Sequence, residues 1–172
     1  MSDRKLAILG IIAIVMVVFT IFQSKMSKKP SQENIVPAYL IQGLDPSDID
    51  AILVGKGDAA VNLKRSGDGF VVENKGGYPV ITKEINELIR SCTDIKIDSL
   101  YTENSANHKD LGVTEEDAEK IVKFFKADGS LLAGVVMGKY KSQGQGSYVR
   151  LLGSDNVYVT LEHPWIKDSA LD

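Results

Sequence analysis

The residues whose types and spacing most suggest chemistry lie at 138–150, where Gly138-Lys139 opens a polar, glycine-rich run ending in Tyr148-Val149-Arg150. A Gly-Lys pair in such a run invites comparison with a phosphate-binding loop. That loop needs Gly, four residues, then Gly-Lys and Ser or Thr, set between a strand and a helix. Its glycines let successive backbone N–H groups point at phosphate, and its hydroxyl holds magnesium. Here only three residues separate Gly134 from Gly138, and Tyr140 stands where Ser or Thr is required. The alternating residues after the run read as a strand, not a helix. The stretch therefore fits a long hairpin loop, residues 139–146, on the rim of a sheet. Binding residues concentrate on loops held by rigid scaffolds. The candidate partner-contact residues are accordingly Lys139, Tyr140, Lys141, Gln143, Gln145 and Tyr148.

Other chemistry finds less support. His108 and His163 are far apart and have no neighbouring Cys or second His, whereas zinc ligands cluster at short fixed spacings. Neither is expected to hold a metal. Glu115, Glu116 and Asp117 lack the spacing of a calcium loop, and no Gly-x-Ser-x-Gly nucleophile elbow is present. The carboxylates sit in turns and on exposed faces, where nothing would split their pKa values for acid–base work. Cys92, the single cysteine, falls in register with an apolar helical face and is expected to pack as a small hydrophobe. The expectation is a non-enzymatic protein without cofactor.

The elements that position these residues follow from composition and pattern. The chain has 172 residues, 44% hydrophobic and 25% charged, enough for one globular domain with an appendage. Leu6 to Phe22 is 17 residues without a charge, an all-round apolar stretch that no surface helix of a soluble domain tolerates. As a helix it spans roughly 25 Å, near the lower limit for a bilayer core of about 30 Å, and flanking lysines can snorkel. A cleaved signal peptide would have a shorter apolar region and small residues at the cleavage site; the residues after Phe22 do not supply them. The segment predicts a transmembrane anchor, residues 6–22, that holds the chain in the lipid bilayer.

Residues 1–5 are then a short tail, residues 23–43 a linker of Lys, Ser, Gln, Asn and Pro, and residues 162–172 a C-terminal tail. Basic residues flank the anchor on both sides, so charge does not choose the orientation. A short N-terminal tail favours placing the domain outside the cytoplasm. Residues 1–29 carry a net charge of +4 and the remainder −7. An acidic domain is repelled by phosphate backbones, so nucleic acid is not an expected partner, while the basic N-terminus suits anionic headgroups.

Residues 44–161 read as a globular α+β domain. Asp45-Pro46-Ser47-Asp48 is a turn before a strand over residues 49–54. Val61 and Leu63 alternate with polar residues, and Ser66-Gly67-Asp68-Gly69 closes a hairpin onto residues 70–72. Ile85, Leu88, Ile89 and Cys92 mark one face of a helix over about 82–94, with Thr82 as its expected N-cap. Ile95 and Ile97 alternate, a polar crossing covers residues 102–110, and Glu115-Glu116-Asp117 reads as a solvated turn. Strands follow at 121–125, 131–137, 148–152 and 157–161, with turns at Asp128-Gly129 and at residues 153–156. The pattern predicts an antiparallel β-meander packed with one main helix.

In order, "GLDPSDIDAILV", "VNLKRSGDGFVV", "YPVITKEINELI", "NHKDLGV", "VKFFKADGSLLAGVVMGK" and "GSYVRLLGSDNVYVT" resemble the family of membrane-anchored bacterial proteins called domain of unknown function 4340. The resemblance runs from about Leu44 to Leu161. It implies an envelope protein of the cytoplasmic membrane whose relatives accompany ABC-type transporter components. It transfers no catalytic residue. Relatives often carry more than one such unit, so a single unit implies pairing with another copy or a partner. Two functions follow as expectations: an extracytoplasmic interaction domain accessory to transport, or a module that binds a small ligand or cell-wall glycan through residues 139–146.

Overall fold

The computed structural model describes residues 38–162. The expected anchor at 6–22, the tails at 1–5 and 163–172, linker residues 23–37 and His163 lie outside them. Among the described residues no helix is long and apolar enough to cross a membrane.

The body is built on one nine-stranded antiparallel sheet. Its strands are β1 (Ala51–Val54), β2 (Val61–Ser66), β3 (Gly69–Val72), β4 (Tyr78–Pro79), β5 (Ser99–Thr102), β6 (Lys120–Phe125), β7 (Leu131–Tyr140), β8 (Ser147–Leu151) and β9 (Val157–Thr160). They lie in the order β4-β3-β2-β1-β6-β7-β8-β9-β5. Two meanders, β1 to β4 and β6 to β9, therefore meet at a seam where β1 pairs with β6, Ile52 opposite Phe124 and Val54 opposite Val122. β5 crosses to the far edge and pairs with β9. The expected α+β class, mostly antiparallel sheet with few helices, is what the structure has. Both edges are blunted: β4 has two residues and ends in Pro79, and β5 is interrupted by an irregularity between Leu100 and Thr102. Such devices discourage stray strand pairing.

Period-two alternation sends side chains to opposite faces, and the two faces are covered by different elements. On one, Ile52, Leu63, Phe70, Val122, Phe124, Val135 and Val149 pack with Ile85, Ile89 and Cys92 of α1 (Thr82–Thr93). On the other, Ile121, Val136, Tyr148, Val157 and Val159 pack under the segment carrying Leu111, Val113 and Ala118, which follows α2 (His108–Leu111). Each fully buried aliphatic or aromatic residue contributes about 1.5–3 kcal/mol relative to exposure.

The structure corrects several boundaries. The linker does not run to residue 43. Leu40 and Ile41 are buried, the Leu40 N–H donates to the Ile95 carbonyl at 2.8 Å, and Tyr39 bridges to Lys96. The run Ala38-Tyr39-Leu40-Ile41 shows no alternation or turn signal that marks it as an element, and its burial is decided by the strand-like segment beside it. Thr82 is not the N-cap of α1: that place belongs to Ile81, which makes no side-chain cap bond, and Thr82 is already helical. The extended backbone after Pro79 persists to Ile81 and sets the start. Ile95 and Ile97 precede β5 instead of forming it, and β7 extends to Tyr140.

Cys92 is fully buried at the end of the helical stripe, and burial pushes its thiol from an ordinary 9.0 up to about 12. The folded protein therefore holds this proton more tightly than the unfolded chain does. The associated stability is intact below pH 9 and is lost as pH rises from 9 towards 12, where the unfolded thiol ionises and the folded one does not. We expect no reaction of Cys92 with a water-soluble disulfide reagent at pH 8 in the native state. Full reaction is expected in denaturant, and a urea midpoint that falls above pH 9 less steeply in Cys92→Ala.

Candidate functional site

The longest strand, β7, carries the candidate loop at its C-terminal end, and residues 141–146 return the chain to β8. Two glycines fix the entry and exit. At Gly138 an added Cβ would lie 2.5 Å from the Leu111 carbonyl oxygen and 2.6 Å from Val113 Cγ1. Only a residue without a side chain lets the 111–113 segment lie on the strand. Gly146 has φ 106°, a conformation that L-residues rarely adopt, and its Cβ would stand 2.6 Å from the Thr160 carbonyl oxygen. The Lys141 N–H donates to the Gly146 carbonyl at 3.0 Å and closes the loop.

The structure brings five of the six expected contact residues together on this rim. Lys139, Tyr140, Gln143 and Gln145 are exposed and Lys141 is half-buried. The Lys139 ammonium donates to the Asp110 carbonyl at 2.9 Å, a cation at the last turn of α2. Tyr148 is placed differently. It is only 8% exposed and lies against Tyr101, ring centroids 4.7 Å apart and tilted by 57°. Burial, then the neighbouring Tyr101 hydroxyl, pushes its phenol up to about 12. Tyr148 belongs to the second core beside the loop's exit. Alternation along β8 sends Tyr148 into the second core with Val136, Val157 and Val159 and Val149 towards α1, a choice of face that sequence alone could not make.

Other residues of the same end carried no sequence signal. Tyr39, Leu161, Lys96 and Glu162 lie alongside the loop, and the Lys96 ammonium meets the Glu162 carboxylate at 3.2 Å. Hydrogen bonding to Glu162 raises the Lys96 pKa. Arg150 was legible only as a strand residue, yet its guanidinium donates to the carbonyls of Val113 at 2.9 Å and Ser154 at 3.0 Å. Partial desolvation lowers its pKa.

A groove of about 920 Å³ lies elsewhere among the described residues. It opens between β1, β6 and the 114–116 turn, over Leu53 and Ile121. Its cations are committed. Lys56 donates to the carbonyls of Glu116 and Ala118 at 2.8 and 2.7 Å, and Lys123 is ion-paired with Glu115. His108 is buried, with Nε2 3.0 Å from the Asp155 carbonyl oxygen, a tie between segments. Among the described residues no three His, Cys, Asp or Glu side chains converge on a metal position. Asp45 and Asp128 have lowered pKa values because Ser47 and Ser130 donate to them, the signature of turn closure. A general acid needs the opposite shift.

A family profile described as "Domain of unknown function (DUF4340)" matches residues 71–165, more than half of the chain. The chain belongs to that family. The DUF4340 match begins within β3 and takes in α1, the whole second meander and the candidate loop. No curated protein and no solved structure matches this DUF4340 chain.

Proposed function

We propose that this DUF4340 protein is a single-pass, membrane-tethered, non-enzymatic interaction domain, held outside the cytoplasm of a bacterial cell and accessory to an ABC-type transport or other envelope system. Residues 6–22 are the anchor, residues 23–37 the tether, and the body beyond them is what a partner meets. The observation that carries the reading is the exposed set Tyr140, Gln143 and Gln145 on a loop whose ends are locked by Gly138, Gly146 and the buried Tyr148. Exposed side chains on a pinned loop lose little backbone freedom on contact, which favours binding. The family resemblance supports the envelope and transport setting.

Gentle crosslinking of intact cells, followed by detergent extraction and purification of the chain, tests this. A transporter subunit is expected to co-purify and to be lost when residues 141–146 are replaced by a two-residue turn. Recovery of the chain alone from the crosslinked extract overturns the partner assignment. Protease added to spheroplasts is expected to digest the body; full protection would place it inside.

A further inference from the structure

We propose that Tyr101 and Tyr148 are a site of oxidative coupling, at which hydrogen peroxide acting through a haem peroxidase joins the two rings into dityrosine and staples β5 to β8. The inference stands apart from the partner assigned to residues 139–146.

The fold brings the two rings together. β5 is an edge strand, and its partner β9 lies between it and β8. Leu100 stands opposite Tyr158 and Thr102 opposite Val157, so Tyr101 is the extra residue of a bulge. A bulge leaves its extra residue out of the ladder and re-aims the side chain. The Tyr101 ring accordingly reaches across β9 to the Tyr148 ring, with centroids 4.7 Å apart and planes tilted by 57°. At that separation the ring edges are in van der Waals contact. The hydroxyls are neighbours too, since Tyr101 helps to hold the Tyr148 proton. Phenols whose hydroxyls adjoin also present to one another the carbons ortho to those hydroxyls, which are the carbons that couple.

Access differs between the partners. Tyr101 is 50% exposed and meets an oxidant directly, whereas Tyr148 is buried among Val136, Val157 and Val159. Oxidation therefore enters at Tyr101 and passes to Tyr148 by hydrogen-atom transfer across the contact. A second oxidising equivalent at Tyr101 leaves both residues as phenoxyl radicals, each having given one electron to the oxidant and one proton to solvent. The radicals carry spin on their ortho carbons and join there in one new C–C bond. Two ring C–H protons then leave, and two protons return to the phenol oxygens. In sum the pair loses two hydrogens, and one hydrogen peroxide becomes two waters. The rings are held together before reaction, so coupling within one chain outpaces encounters between chains in dilute solution. The bond ties the edge strand to β8 just after Gly146, at the exit of residues 139–146. The oxidised form thus fixes both the far edge of the sheet and the end of the loop.

The test treats the full chain, dilute in detergent micelles, with hydrogen peroxide and a haem peroxidase. Dityrosine fluorescence is expected in material that migrates as a monomer, with a yield independent of protein concentration. Peptide mapping is expected to show the Tyr101 and Tyr148 peptides linked and two hydrogens short of their sum. Tyr101→Phe keeps the ring contact and the fold, which a thermal melt checks, and is expected to lower the monomer signal at least about tenfold. Tyr78→Phe, which removes a tyrosine 73% exposed, is expected to leave it unchanged. The linked chain is expected to melt higher than the untreated one, because a cross-link constrains the unfolded state. Dityrosine confined to dimers, linkage between other tyrosines in the monomer, or an undiminished signal in Tyr101→Phe overturns the proposal. So does an absence of coupling where free tyrosine in the same reaction couples, and a linked chain that melts no higher overturns the staple.

Discussion

Phe124→Ala is expected to lose about 3–5 kcal/mol of folding stability, the range for emptying a large aromatic site in a packed core. Phe124 is fully buried in β6, opposite Ile52 of β1 and Ala133 of β7. It therefore fills the seam between the two meanders from below α1. Ala133 is too short to close the space, and Ile52 is held by its own strand, so collapse around the cavity is limited. Urea unfolding of the full chain in micelles should show a large drop in midpoint with little change in slope. Lys64→Ala, an exposed site on β2, should stay within about 0.5 kcal/mol of the parent. A small effect at Phe124 would mean that the seam is not where the halves are joined.

Gly138→Ala is the second large effect, with an expected cost of about 3 kcal/mol from overpacking. The new methyl would meet two carbonyl oxygens, of Leu111 at 2.5 Å and Gly112 at 3.1 Å, besides Val113 Cγ1 at 2.6 Å. Backbone oxygens at the end of a short helix cannot step aside as a flexible side chain can. The 111–113 segment must lift, which exposes the second core and loosens the Lys139 tie to Asp110. Gly69→Ala is the control, because that position is open and has no positive φ. It should unfold at nearly the parent temperature. Limited proteolysis should cut the Gly138→Ala loop faster, and an unchanged melting temperature would refute the close approach.

Local features were legible because local physics decides them. The spacing of Ile85, Leu88, Ile89 and Cys92 gave α1 its buried stripe, and the turns at Gly67-Asp68 and Asp128-Gly129 follow from residues suited to tight reversals. Residues 139–146 were recognisable as a loop through mismatches with a phosphate-binding pattern. The seam was not legible, since pairing of Val54 with Val122 is a choice among distant strands that alternation cannot rank. The face taken by Tyr148 depended on the same choice. Tyr39 to Ile41 carried no alternation or turn signal, and the Val113 carbonyl gathered by Arg150 comes from a segment that meets it only in the folded chain. Of the candidate site, the loop was visible and the strip beside it was not.

The strand order has a consequence for how the chain is made. Ribosomes deliver β1 to β4 first, yet one side of β1 finds its partner only when Lys120 to Phe125 has emerged. β5 likewise waits for β9, the last of the described strands to appear. Such distant pairings are slow to form. The nascent first half thus passes through an interval with an unzipped flank, when a neighbouring polypeptide could occupy the slot meant for β6.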